Sequence, residues 1–486
     1  MRTSVVVRVL SRMCQFTAGS LCVSGLVGII YDEDVWVYYA ATAVLAVAVS
    51  GLIYLLGRRI TADSDRPTRR EGFLAVVASW MTIIFFGAVP FWLSGDIASF
   101  TNAFFESASG YTTTGATILS DIEALPKAHL FQRSFAHWIG GMGIIVLSVA
   151  ILPELAVGGM QLFSAESSGI STDKLTPRIV DTAKRLWGLY AGITVTLVLL
   201  LLAGNMTPFD AITHAFGTVA TGGFSTHNAS IAAFDSLYIE IVITIFMLAS
   251  GISFALQYRM LVSRQSKPLL RSEEVRFYLS AFALFSLAIA GTLYVGGTYQ
   301  SYGHALRDAV FQTAAIITTT GYATADFNAW PDVCRFLLVL LMFVGGCAGS
   351  TAGGTKFIRL LVVIKHGGVE LKKLIYPGLV QPVRVDRKAI PQSTIQAILG
   401  FFLLYITTTV VATTLVLLTG VDLVTGVTAV ISAMNSIGPG LDLVGPSMNY
   451  GPLPAACKWV LSMCMIVGRL EIYTVMVLFT RYFWRY

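Results

Sequence analysis

Thr112-Thr113-Thr114-Gly115-Ala116 is the first of four related stretches in this chain of 486 residues. The others read Val219-Ala220-Thr221-Gly222-Gly223, Thr318-Thr319-Thr320-Gly321-Tyr322 and Asn435-Ser436-Ile437-Gly438-Pro439. Each is a run of threonine or small residues ending in a glycine, and Gly115, Gly222, Gly321 and Gly438 divide the chain at nearly even intervals. A short apolar stretch precedes each glycine, and a long one flanks it on either side. A single Thr-Thr-Gly among apolar residues is more often a helix end than a site. Four, each at the same point of a repeat, are what one chain needs to ring a membrane pore with backbone carbonyls. Such a ring replaces the water around a dehydrated cation. The pattern reads as a cation conductor.

Composition supports a membrane setting. The mean hydropathy is +0.72, and only 12% of residues are charged, where a soluble domain carries about 25%. The formal charge of +6 does not indicate nucleic acid, because the basic residues gather in short segments between apolar runs. Cys14, Cys22, Cys334, Cys347, Cys457 and Cys464 show no zinc or redox spacing and read as small free thiols. The first apolar run carries Arg8 and Arg12, with no small-residue cleavage site before Asp32-Glu33-Asp34. It reads as a retained helix rather than a signal peptide.

A spanning helix takes about 20 mostly apolar residues. Long candidates lie at 5–31, 36–57, 72–94, 130–153, 184–204, 236–262, 274–296, 332–365, 394–419 and 453–480. Shorter apolar pieces at 100–112, 208–220, 306–319 and 423–436 each end at a signature glycine, and they read as re-entrant half-helices. Basic residues cluster in alternate gaps, namely Arg58 to Arg70, Lys174 to Arg185, Arg259 to Arg276 and Lys365 to Lys388. The positive-inside rule makes those gaps and both termini cytoplasmic. Lys127, Arg133, Arg307, Arg335 and Lys458 fall on the other side, so the bias is incomplete.

The expected fold is an all-α integral membrane protein with ten transmembrane helices. Two helices in 1–71 form a preamble. Four parallel helix–pore loop–helix repeats follow at 72–165, 166–265, 266–375 and 376–486, and parallel repeats place one pore on an axis along the membrane normal.

Non-helical backbone survives at membrane depth only where it is buried or lines water. Glycine permits the positive φ that turns successive carbonyls toward one axis. Thr113, Thr114, Thr221, Thr319 and Thr320 supply carbonyls and hydroxyls as further oxygen ligands, and helix C-terminal ends favour a cation. The fourth loop lacks threonine, so its ring position is unlike the others. Asp442 and Asp326 follow the fourth and third loops, either as mouth charges or as solvated loop acids. Glu106 reads as an anchor for the first loop.

Gly345-Gly346-Cys347-Ala348-Gly349-Ser350-Thr351-Ala352-Gly353-Gly354-Thr355-Lys356 interrupts the eighth apolar run. Phe357 follows Lys356, so the phosphate-binding GxxxxGK[ST] pattern is absent. Five glycines there break a helix, and a broken helix at this depth reads as a flexible plug below the ring. Arg469 and Glu471 interrupt the last run, where an intramembrane charge costs roughly 2.5–3.5 kcal/mol or more. Arg469 either faces the pathway, snorkels, or pairs with Glu471 or Glu154. The six histidines show no ligand spacing, and no nucleophile, zinc or dinucleotide motif supports an enzyme.

Taken together, Ser109-Gly110 through Thr117, Thr221 to Thr226, the glycine-rich stretch, and Gly468-Arg469-Leu470-Glu471 resemble the bacterial Trk/Ktr/HKT potassium-transporter superfamily. The likeness is to its TrkH/TrkG-type potassium-uptake membrane subunit, over nearly the whole chain. The resemblance implies a homodimer in the bacterial cytoplasmic (inner) membrane, each chain with four units around one pore. It implies that carbonyls of Thr113-Thr114-Gly115, Ala220-Thr221-Gly222, Thr319-Thr320-Gly321 and Asn435-Ser436-Ile437-Gly438 bind K+. Glycine rather than serine at Gly115 favours potassium over sodium. Gly345, Gly346, Gly349, Gly353, Gly354 and Lys356 correspond to an intramembrane gate that Arg469 helps to close.

A cytosolic TrkA-type nucleotide-binding (NAD/ATP) subunit is implied as regulator, docking on the basic loops around 365–388. This chain itself carries no nucleotide motif and no cofactor site. The rival within transport is a proton- or sodium-coupled symporter, which the scarcity of central carboxylates disfavours.

Overall fold

The computed structural model describes residues 3–58, 69–143 and 179–485, and nearly all of the regular structure there is helical. Among the described residues six helices are long and apolar enough to cross a membrane, or eight if each of two bent pairs counts as one span. The six are Val6–Ile30, Trp36–Leu55, Arg70–Leu93, Ala183–Ala203, Glu273–Val295 and Gln392–Leu417. They fall where the apolar runs predict, because in hydrocarbon a single segment must satisfy its own backbone, and the helix does so. Leu199, Leu284, Leu403 and Val410 stand exposed on these helices. So much apolar surface suits acyl chains and would be a liability in water.

Four shorter helices, Phe100–Tyr111, Pro208–Val219, Tyr302–Ile317 and Leu423–Asn435, contain 12, 12, 16 and 13 residues. At about 1.5 Å per residue they reach well short of the roughly 30 Å hydrocarbon core. Two have side-chain caps that fix their starts. Thr207 accepts from the Asp210 amide at 3.1 Å, with Pro208 at the first position, and Asp422 accepts from the Thr425 amide at 2.9 Å. Each short helix follows a long one and precedes Lys127–Gly141, Leu237–Ser250, Asp332–Met342 or Ala455–Arg469. The order long, short, medium thus recurs four times after the N-terminal pair.

The medium helices break where the sequence predicts continuity. The apolar run 236–262 is two helices, Leu237–Ser250 and Phe254–Leu261, bent by 108°. Gly251 ends the first, and its carbonyl accepts from the Cys347 amide at 2.7 Å instead of continuing a helix. The run 453–480 bends by 114° between Arg469 and Ile472. Here Glu471 adopts a left-handed φ of 61° and its carboxylate is held by Arg359 at 2.7 Å. The third break, between Met342 and Phe357, is the one the glycine cluster announced. The fourth predicted span, 130–153, is described only as far as residue 143. Arg59, Arg66, Glu154, Lys174 and Arg178 lie outside the described residues.

The cations that depart from the charge pattern are committed locally. Arg133 pairs with Glu106 at 2.8 Å, Arg307 with Glu240 at 2.7 Å and Arg335 with Asp332 at 3.1 Å. The Lys458 ammonium donates to Asn102 and the Gly451 carbonyl, and Lys127 sits over the Tyr31 ring. The N-terminal pair packs on the first repeat, where Ser24 donates to Gln132 and Tyr39 meets His129 at 2.7 Å.

Two glycines bring medium helices onto short-helix ends. A Cβ at Gly140 would lie 1.9 Å from the Tyr111 carbonyl oxygen, and one at Gly468 would lie 2.0 Å from that of Met434. Backbone cannot yield there as a side chain can. Gly140→Ala or Gly468→Ala is therefore expected to destabilise by about 1–3 kcal/mol or more, read as a lower melting temperature in detergent. Gly188→Ala and Gly192→Ala, with nothing within 4 Å, should leave it unchanged. Equal melting for both sets would contradict the close contact.

Candidate cation pathway

The four short helices end alike. Thr113, Thr221, Thr319 and Ser436 take φ of 55°, 55°, 56° and 55°, a left-handed region that β-branched residues avoid. The amides of Thr114, Gly222, Thr320 and Ile437 then donate to the carbonyls of Ser109, Gly217, Ala315 and Ser432, each five residues back. This is the 6→1 closure of a Schellman turn. Two residues after each left-handed Thr or Ser comes a glycine of positive φ: Gly115 at 80°, Gly223 at 83°, Gly321 at 77° and Gly438 at 103°. Each left-handed non-glycine residue costs about 1–3 kcal/mol, so surrounding contacts must impose this backbone four times.

The shared dihedrals correct the register of the second loop. Gly223, not Gly222, is the counterpart of Gly115, and Ala220 is the helix cap corresponding to Thr112 and Thr318. Asn435 holds that same place in the fourth loop. Adjacent glycines offered two registers, and spacing alone could not choose between them.

The loops close on one another. A Cβ at Gly115 would lie 2.1 Å from the Gly222 oxygen, at Gly223 1.9 Å from that of Thr320, and at Gly321 1.8 Å from that of Ile437. At Gly438 it would lie 2.8 Å from the Thr114 oxygen, which returns to the first loop. The four positive-φ glycines line one open vestibule of about 130 Å³.

Straps above it repeat the circle. Asn228 binds the first loop through the Ile122 amide at 2.7 Å and Asp121 at 3.0 Å. The Ala232 amide donates to the Ala323 carbonyl, joining second to third. Asn328 accepts from the Asp442 amide at 2.9 Å, and the Tyr450 amide donates to Thr117 at 2.7 Å, completing the ring. Asp326 accepts from the Asn328 amide at 3.0 Å and caps its own turn.

Side chains behind the loops differ by repeat. Thr112 bonds Thr114, and Thr318 bonds Thr320, hydroxyl to hydroxyl, both at 2.8 Å. The hydroxyls of Thr114 and Thr320 are thereby engaged within their own loops. The Thr113 and Ser436 hydroxyls and the Asn435 Oδ1 are buried without a hydrogen-bond partner among the described residues.

Glu106 anchors its loop, accepting from the Ile118 amide at 2.9 Å and from Arg133. Breaking such a buried pair by removing one partner costs about 3–5 kcal/mol. His214, at the equivalent place, meets the Ser225 hydroxyl at 2.9 Å, and Gln312 donates to the Ala325 carbonyl at 3.2 Å. His137 meets the Gly110 carbonyl through Nδ1 at 2.7 Å, and its Nε2 accepts from the Phe224 amide at 3.2 Å. These bonds make Nδ1 the protonated nitrogen. Sequence reasoning missed His137, His214 and Gln312. With the second loop in register, His214 and Gln312 fall at Glu106's place before their glycines, which was the available signal.

Below the ring lies the glycine-rich segment. Val344–Gly345 pairs in parallel with Thr355–Lys356 and pinches the intervening loop closed. The Gly353 amide donates to the Thr319 hydroxyl at 2.7 Å, and the Thr351 hydroxyl donates to the Val219 carbonyl at 2.9 Å. A Cβ at Gly353 would stand 2.3 Å from the Asn435 oxygen. The segment therefore touches the ends of three short helices. Gly346 likewise packs against Gly251, where a Cβ would meet the Gly251 oxygen at 2.6 Å, and Gly349 and Gly354 adopt positive φ. The Lys356 ammonium donates to the Ala352 carbonyl. Arg469 donates to the carbonyls of Thr351 at 3.0 Å and Gly141 at 3.1 Å, and to that of Gly140. Glu274 accepts from the amides of Ala348 at 2.7 Å and Ile358 at 3.1 Å, so one buried carboxylate pins both limbs.

Residues 40–486 match the TrkH family, described as cation transport protein. The chain is 40% identical over 487 residues to the Trk system potassium uptake protein TrkH of Halomonas elongata, with 100% of both covered. It is 34% identical to the Trk system potassium uptake protein TrkG of Escherichia coli, over 99% of each. Its fold resembles the crystal structure of the potassium transporter TrkH from Vibrio parahaemolyticus with a TM-score of 0.89, at 37% identity and with 100% of each chain covered. The chain belongs to the TrkH family, whose members are cation transporters rather than enzymes.

Proposed function

We propose that this chain is a potassium-uptake subunit of the bacterial inner membrane, conducting K+ through its four-loop ring. The observation that carries the reading is the closure of that ring, each loop meeting the next at a glycine that leaves no room for a Cβ. Alternating signs of φ across 113–115, 221–223, 319–321 and 436–438 turn successive carbonyls to one side, where those free of hydrogen bonds replace K+ hydration. The C-terminal ends of the short helices add partial negative charge. The unpartnered oxygens of Thr113, Asn435 and Ser436 offer further hard donors where the ion leaves the ring.

Ten crossings follow when 130–153 and the interrupted 332–365 are added to the eight apolar spans. Four repeats then surround one axial pathway, with both termini cytoplasmic. Below the ring, the segment from Gly345 to Lys356 and Arg469 form the gate. An open gate lets K+ run down a membrane potential worth about 2.3 kcal/mol per charge per 100 mV. Glu106 is committed to Arg133, Thr117 and Ile118, as an anchor of the first loop.

A homodimer with a cytosolic TrkA-type nucleotide-binding subunit completes the assembly. Its docking surface is the basic region 365–388. There a two-residue hairpin exposes Arg384, Arg387 and Lys388. Val383 and Val385 beside it share a small core with Ala348 and Ile358 of the gate region. Force on the hairpin is thereby felt at the gate.

Expression in a bacterium lacking its own potassium uptake tests the reading. Growth at limiting K+ supports it, and failure to grow despite membrane insertion and the subunit's presence contradicts it. Gly115→Ser adds a side chain against the Gly222 oxygen and should weaken discrimination of K+ from Na+, read as competition for Rb+ influx. Unchanged competition would remove Gly115 from the filter. Arg469→Ala deletes charge-assisted bonds worth about 1.5–3 kcal/mol each and should raise basal flux roughly tenfold or more. Equal or lower flux would take Arg469 out of the gate. Glu274→Ala should likewise raise flux while Glu274→Gln, which keeps an acceptor oxygen, stays near the parent. If both behave alike, the pin is not what holds the loop.

A further inference from the structure

The carbonyl of Gly438 differs from its three counterparts. The Ser432 hydroxyl and the Tyr450 hydroxyl both donate to it, each at 2.8 Å. A carbonyl oxygen has two lone pairs, and here both are taken. The carbonyls of Gly115, Gly223 and Gly321 accept no hydrogen bond among the described residues. Both donors are fixed in place. Ser432 is wholly buried in the fourth short helix, and Tyr450 is 2% exposed, its ring 5.3 Å from that of Phe105. The Tyr450 amide bond to Thr117 wedges the residue between the fourth and first loops.

The serine alone does not explain the difference. Ser109 holds the equivalent place before Gly115, and its hydroxyl is buried without a partner among the described residues. What the fourth loop adds is the tyrosine. Its backbone differs accordingly, with φ of 103° at Gly438 against 80°, 83° and 77° at the other three.

Resting on the reading of the four loops as a cation filter, we infer that the outermost carbonyl plane of the ring is threefold. Gly115, Gly223 and Gly321 face the ion there, and Tyr450 with Ser432 withholds the Gly438 oxygen. Tyr450 is thus a positioning residue that sets the coordination of the entry site. Water from the vestibule, which Tyr450 also lines, fills the fourth quadrant. The ion meets this plane partly hydrated and is held weakly enough to move on, as throughput requires.

The test compares Tyr450→Phe and Ser432→Ala with the parent chain, full length in proteoliposomes. Half-saturation by external Rb+ and maximal flux are read separately. Phenylalanine keeps the ring and removes only the donor. Half-saturating Rb+ is expected to fall roughly threefold or more in Tyr450→Phe, the scale of one neutral hydrogen bond, and Ser432→Ala should move it the same way. Unchanged half-saturation in variants that fold and conduct overturns the proposal. So does a loss of maximal flux at constant half-saturation, which marks a purely structural tyrosine. If Tyr450→Phe does not fold, Ser432→Ala alone decides. Gly115→Ser, assayed for Na+ competition alongside, separates the two levels. If it alters competition while the other variants shift nothing, only the threefold plane fails; if it too changes nothing, the filter reading fails as well.

Discussion

Four helix ends with nowhere to send their last carbonyls are the constraint on which this structure depends. An α-helix leaves its final C=O groups without intrahelical partners, and burial away from water makes that costly. Here the Schellman closures satisfy one carbonyl in each turn by forcing Thr113, Thr221, Thr319 and Ser436 into left-handed backbone. The oxygens that follow meet the next loop across a glycine. On the proposed reading, the groups still unsatisfied are the ones a dehydrated cation satisfies. The site and the strain then have one origin.

The scaffold is fourfold in backbone, but its side chains are not. The first and third loops share a Thr-Thr-Thr with a hydroxyl pair behind it. The second and fourth have Ala220 and Asn435 at that place. Behind the loops, Glu106, His214 and Gln312 perform one anchoring task with three chemistries. The fourth loop is held instead by Ser432 and Tyr450. Once the backbone is imposed by its neighbours, each repeat is free to brace it differently. Below, the glycine-rich segment from Gly345 to Lys356 is tied to three of the four short-helix ends, so segment and ring are one packed unit.

Much of this was legible in the sequence, because unbroken apolar length is a strong local signal. The runs at 36–57, 274–296 and 394–419 became the helices Trp36–Arg58, Glu273–Val295 and Gln392–Leu417. The short pieces before the glycines also became helices within a few residues of their predicted limits. The glycine cluster at 345–354 announced its break because glycine punctuates locally. The bend at Gly251 was hidden, since apolar residues continue through it, and at Glu471 the interrupting charges did not announce a bend; the breaks are fixed by Cys347 and Arg359, far along the chain. The Gly222/Gly223 register, His137 and the Tyr450 bond were hidden for the same reason. Each is decided by a contact that the adjacent residues do not announce.

The most direct measurement is Rb+ uptake into proteoliposomes containing this chain and the proposed cytosolic subunit, driven by an inside-negative potential. No proton or sodium gradient is imposed, and K+ and Na+ serve as competitors. The account predicts uptake that K+ suppresses far more strongly than Na+. Uptake that requires a proton or sodium gradient, or that both ions suppress equally, would contradict it.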